Sequence, residues 1–146
     1  MKDNFLSFYS IGMFNSDLII EALFVGFISF LIFIVFNLIN PNILLSLFLT
    51  GFIKHLYSYY FGIQAYYCNK YLNGKFESKT SNILLESILE GLIYLFFGLL
   101  IIKIINNIYM MSFLIGFIIH ILADFYGIHI LFLNYNCKSL KIKNDF

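Results

Sequence analysis

Gly51-Phe52-Ile53-Lys54-His55 and Gly116-Phe117-Ile118-Ile119-His120 are one segment met twice, 65 positions apart. Moving outward, the same register holds without a gap. Ser16-Asp17-Leu18-Ile19-Ile20-Glu21 matches Ser81-Asn82-Ile83-Leu84-Leu85-Glu86, Gly26 matches Gly91, and Gly62-Ile63-Gln64 matches Gly127-Ile128-His129. Apolar matches are cheap in so apolar a chain. Ser, Glu, His and three glycines coinciding at one offset are not, and they point to an ancient duplication.

The surroundings of each copy are those of a membrane protein. Of the 146 residues, 61% are hydrophobic and only 12% charged, against roughly a quarter charged in soluble domains. Mean hydropathy is +0.88. A soluble surface could not be covered with these side chains, whereas lipid accepts apolar ones. Trp and Arg are absent, and Ile, Asn, Phe, Tyr and Lys dominate, as AT-rich codon usage would have it. The formal net charge of +1 offers no basic patch for nucleic acid. No cleavable signal peptide is expected, since the first apolar run is too long for an h-region.

Each copy divides into two apolar stretches. We expect an all-α integral membrane fold of four transmembrane helices, built as two tandem helical hairpins. The spans are Leu18–Ile39, Ile43–Tyr67, Ile83–Ile105 and Ile108–Leu133. About 20 apolar residues cross a core of roughly 30 Å. Asn40-Pro41-Asn42 stops the first span, because proline cannot continue the hydrogen-bond ladder. Asn106-Asn107 turns the second hairpin. Repeat 1 covers 16–67, a polar loop 68–81, repeat 2 81–133 and a polar tail 134–146, with 1–16 read as an interfacial segment. Lys2, Lys70, Lys75, Lys79, Lys138, Lys141 and Lys143 share the side of the central loop, which the positive-inside rule makes cytoplasmic together with both termini. Cys68 and Cys137 fall on that side, do not correspond under the repeat, and are expected as free thiols.

Gly51, His55, Ser58 and Gly62 recur at i, i+4, i+7 and i+11, and Gly116, His120, Ala123 and Gly127 repeat the spacing. On a helix these positions share one face, and small residues there let backbones approach closely in lipid. Each His therefore points into a helix–helix contact near mid-membrane. Intramembrane ionisable groups are costly and mark candidate sites. Glu21 and Glu86 sit near the start of their spans, where first-turn carboxylates suit the helix dipole and Ser16 and Ser81 could cap. His55 and His120 at equal depth could hydrogen-bond to partner helices or ligate a haem or metal. The second copy alone adds Glu90, Asp124 and His129. Glu86/Glu90 and His120/Asp124 are i, i+4 pairs, so a Glu86–Glu90–His120–Asp124 cluster could bind a cation, relay protons, or pin helix register.

The run His120 to His129, ending Phe125-Tyr126-Gly127-Ile128-His129, and Phe61-Gly62-Ile63-Gln64-Ala65-Tyr66-Tyr67-Cys68 resemble segments of uncharacterised small polytopic membrane proteins of AT-rich giant DNA viruses. The resemblance implies a host or virion membrane and no activity, so it carries over no catalytic residue. The chain has no Cys-x-x-Cys, P-loop, Gly-x-Ser-x-Gly or His-Glu-x-x-His motif. We therefore expect a non-enzymatic structural or assembly component without a cofactor, its partners being the lipid bilayer and a homo-oligomer or larger membrane assembly. The alternatives are a small proton- or cation-coupled transporter or channel, and a b-type haem protein.

Overall fold

The computed structural model describes residues 16–77 and 79–139. The expected interfacial segment at the N-terminus and the last Lys-rich residues lie outside them. Six helices and two short strands follow in order: α1 (Ser16–Ile39), α2 (Ile43–Tyr60), α3 (Ile63–Leu72), β1 (Gly74–Phe76), α4 (Thr80–Ile101), α5 (Ile108–Phe125), α6 (Ile128–Asn136) and β2 (Cys137–Ser139). Among the described residues the fold is all-helical apart from the β1–β2 pair. Three helices are long and apolar enough to cross a membrane: Asp17–Ile39, Thr80–Ile101 and Ile108–Phe125. The second expected span, which contains α2, falls short of that standard because Lys54, His55 and a tyrosine-rich end (Tyr57, Tyr59, Tyr60) dilute it.

The helices in the second and fourth expected stretches are shorter than expected, for one local reason. Gly62 (φ 72°) and Gly127 (φ 70°) adopt the left-handed conformation, which ends α2 and α5 and starts α3 and α6 as separate helices. A Cβ at either glycine would meet nothing within 4 Å. These two residues are turn glycines and not part of a packing face. The break also moves the histidines. His55 and His120 lie five residues before the ends of 18-residue helices, about 7 Å inside at 1.5 Å per residue rather than at mid-membrane. Residues 68–72, expected in the polar loop, belong to α3, and residues 134–136, expected in the tail, belong to α6.

The two halves start their second helices alike. The Asn42 side chain accepts from the Leu45 N–H and that of Asn107 from Tyr109 and Met110, satisfying N–H groups that would otherwise be orphaned. Ser81, in contrast, lies inside the first turn of α4, whose N-cap is Lys79.

Packing runs between hairpins more than within them. The most extensive contacts join α2 to α4 and α1 to α5. Glycines make this approach possible. A Cβ on Gly91 would stand 2.8 Å from the Phe48 carbonyl oxygen, and one on Gly26 would stand 2.9 Å from the Phe113 carbonyl oxygen. Gly51 closes on Glu90 and Tyr94, and Gly116 on Ser29 and Tyr94. Small hydroxyl residues fill the same seams: Ser29, Ser46, Thr50, Ser87 and Ser112 are fully buried. Ser112 donates to the Ser29 carbonyl at 3.1 Å across the α1–α5 contact. Toward the hairpin turns the core is apolar, with Phe33, Leu47, Met111 and Ile115 around Tyr94.

At the opposite end, the loop face, β1 pairs antiparallel with β2, Phe76 opposite Cys137. Cys68 and Cys137 form a disulfide there, replacing the free thiols expected from their non-equivalent positions. Register under the repeat does not decide the pairing, because Cys137 lies just beyond α6, where the returning strand brings it to α3. The bridge closes a segment of 69 residues, and removing it by Cys68→Ser should cost about 4 kcal/mol, read as a lowered unfolding midpoint in detergent. Gly91→Ala should destabilise the protein by about 1–3 kcal/mol, because the close approach to Phe48 must open. Gly26→Ala should do the same by a similar amount, while Gly98→Ala should be milder, since its nearest neighbour is a flexible Leu47 side-chain end.

Candidate functional site

The polar residues gather in two clusters near the loop face, and each cluster joins one hairpin to the other. The first is built on His55 of α2. Its Nδ1 lies 2.8 Å from Glu90 Oε2 and its Nε2 lies 3.2 Å from Glu86 Oε2, both on α4. With both carboxylates ionised, both ring nitrogens donate and His55 is an imidazolium. Lys54, the neighbouring residue, forms an ion pair with Glu90 Oε1 and lies over the Tyr94 ring. Two carboxylates, one ammonium and one imidazolium leave the cluster neutral, the condition for placing charges in a low-dielectric seam. Asn136 of α6 donates to Glu86 Oε1 at 3.0 Å. Gln64 of α3 sits 3.2 Å from His55 Nε2 and 3.1 Å from Ser58 Oγ. The Gln64 Nε2 donates to Ser58 Oγ.

The second cluster is built on His120 of α5. Its Nε2 faces Glu21 Oε2 of α1 at 3.7 Å, beyond hydrogen-bonding distance. Glu21 uses its other oxygen, Oε1, to accept from Lys70 at 3.0 Å and from Tyr71 at 3.3 Å. The Glu21 carboxylate beside Lys70 holds that ammonium's pKa above its ordinary value. Burial, then the charge of Glu21, pushes the Tyr71 hydroxyl up. The ring of His129 lies 4.7 Å from that of His120, and its Nδ1 is 3.5 Å from Asp124 Oδ1.

The clusters are counterparts at the 65-residue offset. His55 and His120, Glu86 and Glu21, Gln64 and His129, Asn136 and Tyr71 occupy equivalent places. Between them, Ser29 Oγ and Tyr94 OH meet at 2.5 Å, and these residues are themselves 65 apart. Sequence reasoning missed this pair because Ser29 and Tyr94 are different residue types, so they do not stand out as a match at the offset.

The expected grouping of Glu86, Glu90, His120 and Asp124 is redistributed. Glu86 and Glu90 go to His55, and Asp124 turns to His129. His120 meets Glu21, which had been read as an interfacial first-turn carboxylate. The reason is that the hairpins exchange partners, so each histidine finds the glutamate of the other copy. Lys54, the neighbour of His55, enters the first cluster through Glu90. Of the residues expected on the packing face, Gly51 and Gly116 do pack, Ser58 donates to the His55 carbonyl at 2.7 Å, Ala123 is half-buried, and Gly62 and Gly127 turn the chain.

For the haem alternative, His55 has both ring nitrogens engaged by carboxylates, which leaves neither for an iron bond in this arrangement. Among the described residues no group of three or more His, Cys, Asp or Glu is arranged to hold a metal ion. Compared with family models, curated proteins and solved structures, the chain matches none.

Breaking a buried pair from one side leaves an uncompensated charge. Glu90→Leu alone should therefore destabilise by about 3–5 kcal/mol, and Lys54→Met with Glu90→Leu together should recover much of that loss. Unfolding of both variants in the same detergent, as a double-mutant cycle, checks it.

Proposed function

We propose that this chain is a non-enzymatic polytopic membrane component, with two copies of a duplicated hairpin latched by charged pairs across the hairpin boundary. The observation that carries the reading is the pairing itself. In the first cluster Lys54, His55, Glu86 and Glu90 saturate one another between α2 and α4. Charges consumed in this way set helix register and partner choice, a role for which buried polar groups are suited. We read α2 as a fourth span, with its Lys54 neutralised inside the bundle. Supporting this, α2 and α5 begin and end at equivalent residues under the 65-residue offset. The partners we assign are the lipid bilayer, met by the many exposed Ile, Leu and Phe side chains, and further membrane subunits.

Orientation follows from two opposed signals. The lysines of the loop face favour the cytoplasm, whereas the Cys68–Cys137 disulfide favours an oxidising compartment. We give the covalent bond precedence, since a lysine bias is a tendency of insertion and a disulfide needs an oxidant. The loop face is therefore proposed to lie outside the cytosol, reversing the orientation expected from the lysines. A glycosylation acceptor placed beside Lys75 should be modified when the protein is expressed in eukaryotic membranes. An unmodified acceptor would restore the lysine-based orientation.

A second reading, a proton-coupled carrier, is favoured by one observation: the second cluster is not saturated, and His120 Nε2 is buried without a hydrogen-bond partner. Flux measurements in liposomes separate the two. The latch reading expects no proton or cation conductance above empty vesicles. A pH-dependent flux abolished by Glu90→Gln with Asp124→Asn in a folded protein would establish the carrier instead.

A further inference from the structure

The two clusters are equivalent in residues and position yet differ in one respect. In the first, the Nε2–H of His55 reaches the glutamate oxygen at 3.2 Å. In the second, Nε2 of His120 stops 3.7 Å short of the corresponding oxygen and bonds to nothing. His120 is only 9% exposed, so bulk water does not stand in for the missing partner. Glu21 Oε1 is committed to Lys70 and Tyr71, as Glu86 Oε1 is to Asn136, which leaves Oε2 turned toward the imidazole in both clusters. What the second cluster lacks is the bond between Nε2 and Oε2.

We propose that His120 and Glu21 form a proton-binding site, and that uptake of one proton at His120 Nε2 closes the second latch into the geometry the first already has. The proton comes from water at the loop face. With the neutral ring carrying its own hydrogen on Nδ1, the proton adds to the Nε2 lone pair, the new Nε2–H donates to Glu21 Oε2, and no other bond changes. The inference rests on the latch reading of these contacts.

The groups facing His120 set the terms. From α1 comes Glu21, the carboxylate that would hold the new charge. From α3 come Lys70 and Tyr71, both bonded to that carboxylate. From α6 comes His129, whose ring lies against His120, and from its own helix Asp124, one turn on, which faces His129. Lys54 on α2 also acts on it electrostatically. On α4, Glu86 and Glu90 are turned to His55 and the Tyr94 hydroxyl to Ser29. Glu21 with Lys70 is neutral, and the added charge would face the Glu21 carboxylate directly and Asp124 across the His129 ring. Loading takes up a proton, so it belongs to acid conditions. The first cluster, with a second carboxylate in Glu90 where the other half has Val25, is loaded already.

The test is the protonation of the three histidines in the full chain. It would use histidine-selective nitrogen labelling and solid-state magnetic resonance in phosphatidylcholine vesicles. At pH about 8 the wild-type protein should show His55 as imidazolium and His120 with Nε2 bare; at pH about 5 His120 should become imidazolium while His55 is unchanged. Glu21→Gln should keep His120 neutral at the acid pH and leave the His55 signal as it was, which also reports that the variant is folded. His120 already protonated at the higher pH, neutral at both, or titrating alike in Glu21→Gln would overturn the proton site while leaving the latch intact. A neutral His55 at both pH values would overturn the latch reading itself. If Glu21→Gln fails to fold, the wild-type titration alone still decides between these outcomes.

Discussion

An imidazole held between two carboxylates inside a helical seam constrains everything around it. The charges cannot be left alone in a low-dielectric interior, and they cannot be satisfied by lipid. His55 therefore requires Glu86 and Glu90, and both carboxylates belong to the other hairpin. Once α2 is committed to α4 in this way, α1 is left to α5, where Glu21 faces His120. The glycines make the commitment sterically feasible: Gly51 and Gly91 bring α2 and α4 together, and Gly26 and Gly116 do the same for α1 and α5. The apolar core around Phe33, Leu47 and Met111 then completes the turn end.

Much of this was legible in the sequence, and where it was not the reasons are physical. The 65-residue register is visible because glutamate, histidine and glycine recur in a background of interchangeable apolar residues. The helical class and the hairpin turns at Asn42 and Asn107 follow from composition and capping chemistry. What a register cannot say is which copy's glutamate a histidine meets. Pairing within a hairpin and pairing between hairpins have the same periodicity, so His55 with Glu86 and His120 with Glu21 became visible only in three dimensions. Gly62 and Gly127 misled because glycine serves both close packing and left-handed turns, and i, i+11 spacing suits either. The disulfide was hidden because the position matching Cys68 at the offset is Leu133, while the bond goes to Cys137.

At the 65-residue offset the two halves of the sequence differ at particular positions. Val25 corresponds to Glu90, Ile119 to Lys54, Tyr59 to Asp124 and Gln64 to His129. The first cluster gains an extra acid–base pair and is saturated. The second gains a second imidazole and a carboxylate at its edge and is not. One latch is permanent and its counterpart is left short of a hydrogen bond, an asymmetry that neither helix propensity nor packing demands.

The central claim, that the hairpins exchange charged partners, is tested most directly by a distance. Dipolar recoupling between the ring nitrogens of His55 and glutamate carboxyl carbons, in the protein reconstituted in lipid, should give separations of about 4 Å, as hydrogen-bonded groups require. That signal should vanish in Glu86→Gln with Glu90→Gln and persist in Glu21→Gln. A short distance that persists in the first variant and is lost with Glu21 would place the partner within the same hairpin and contradict the account.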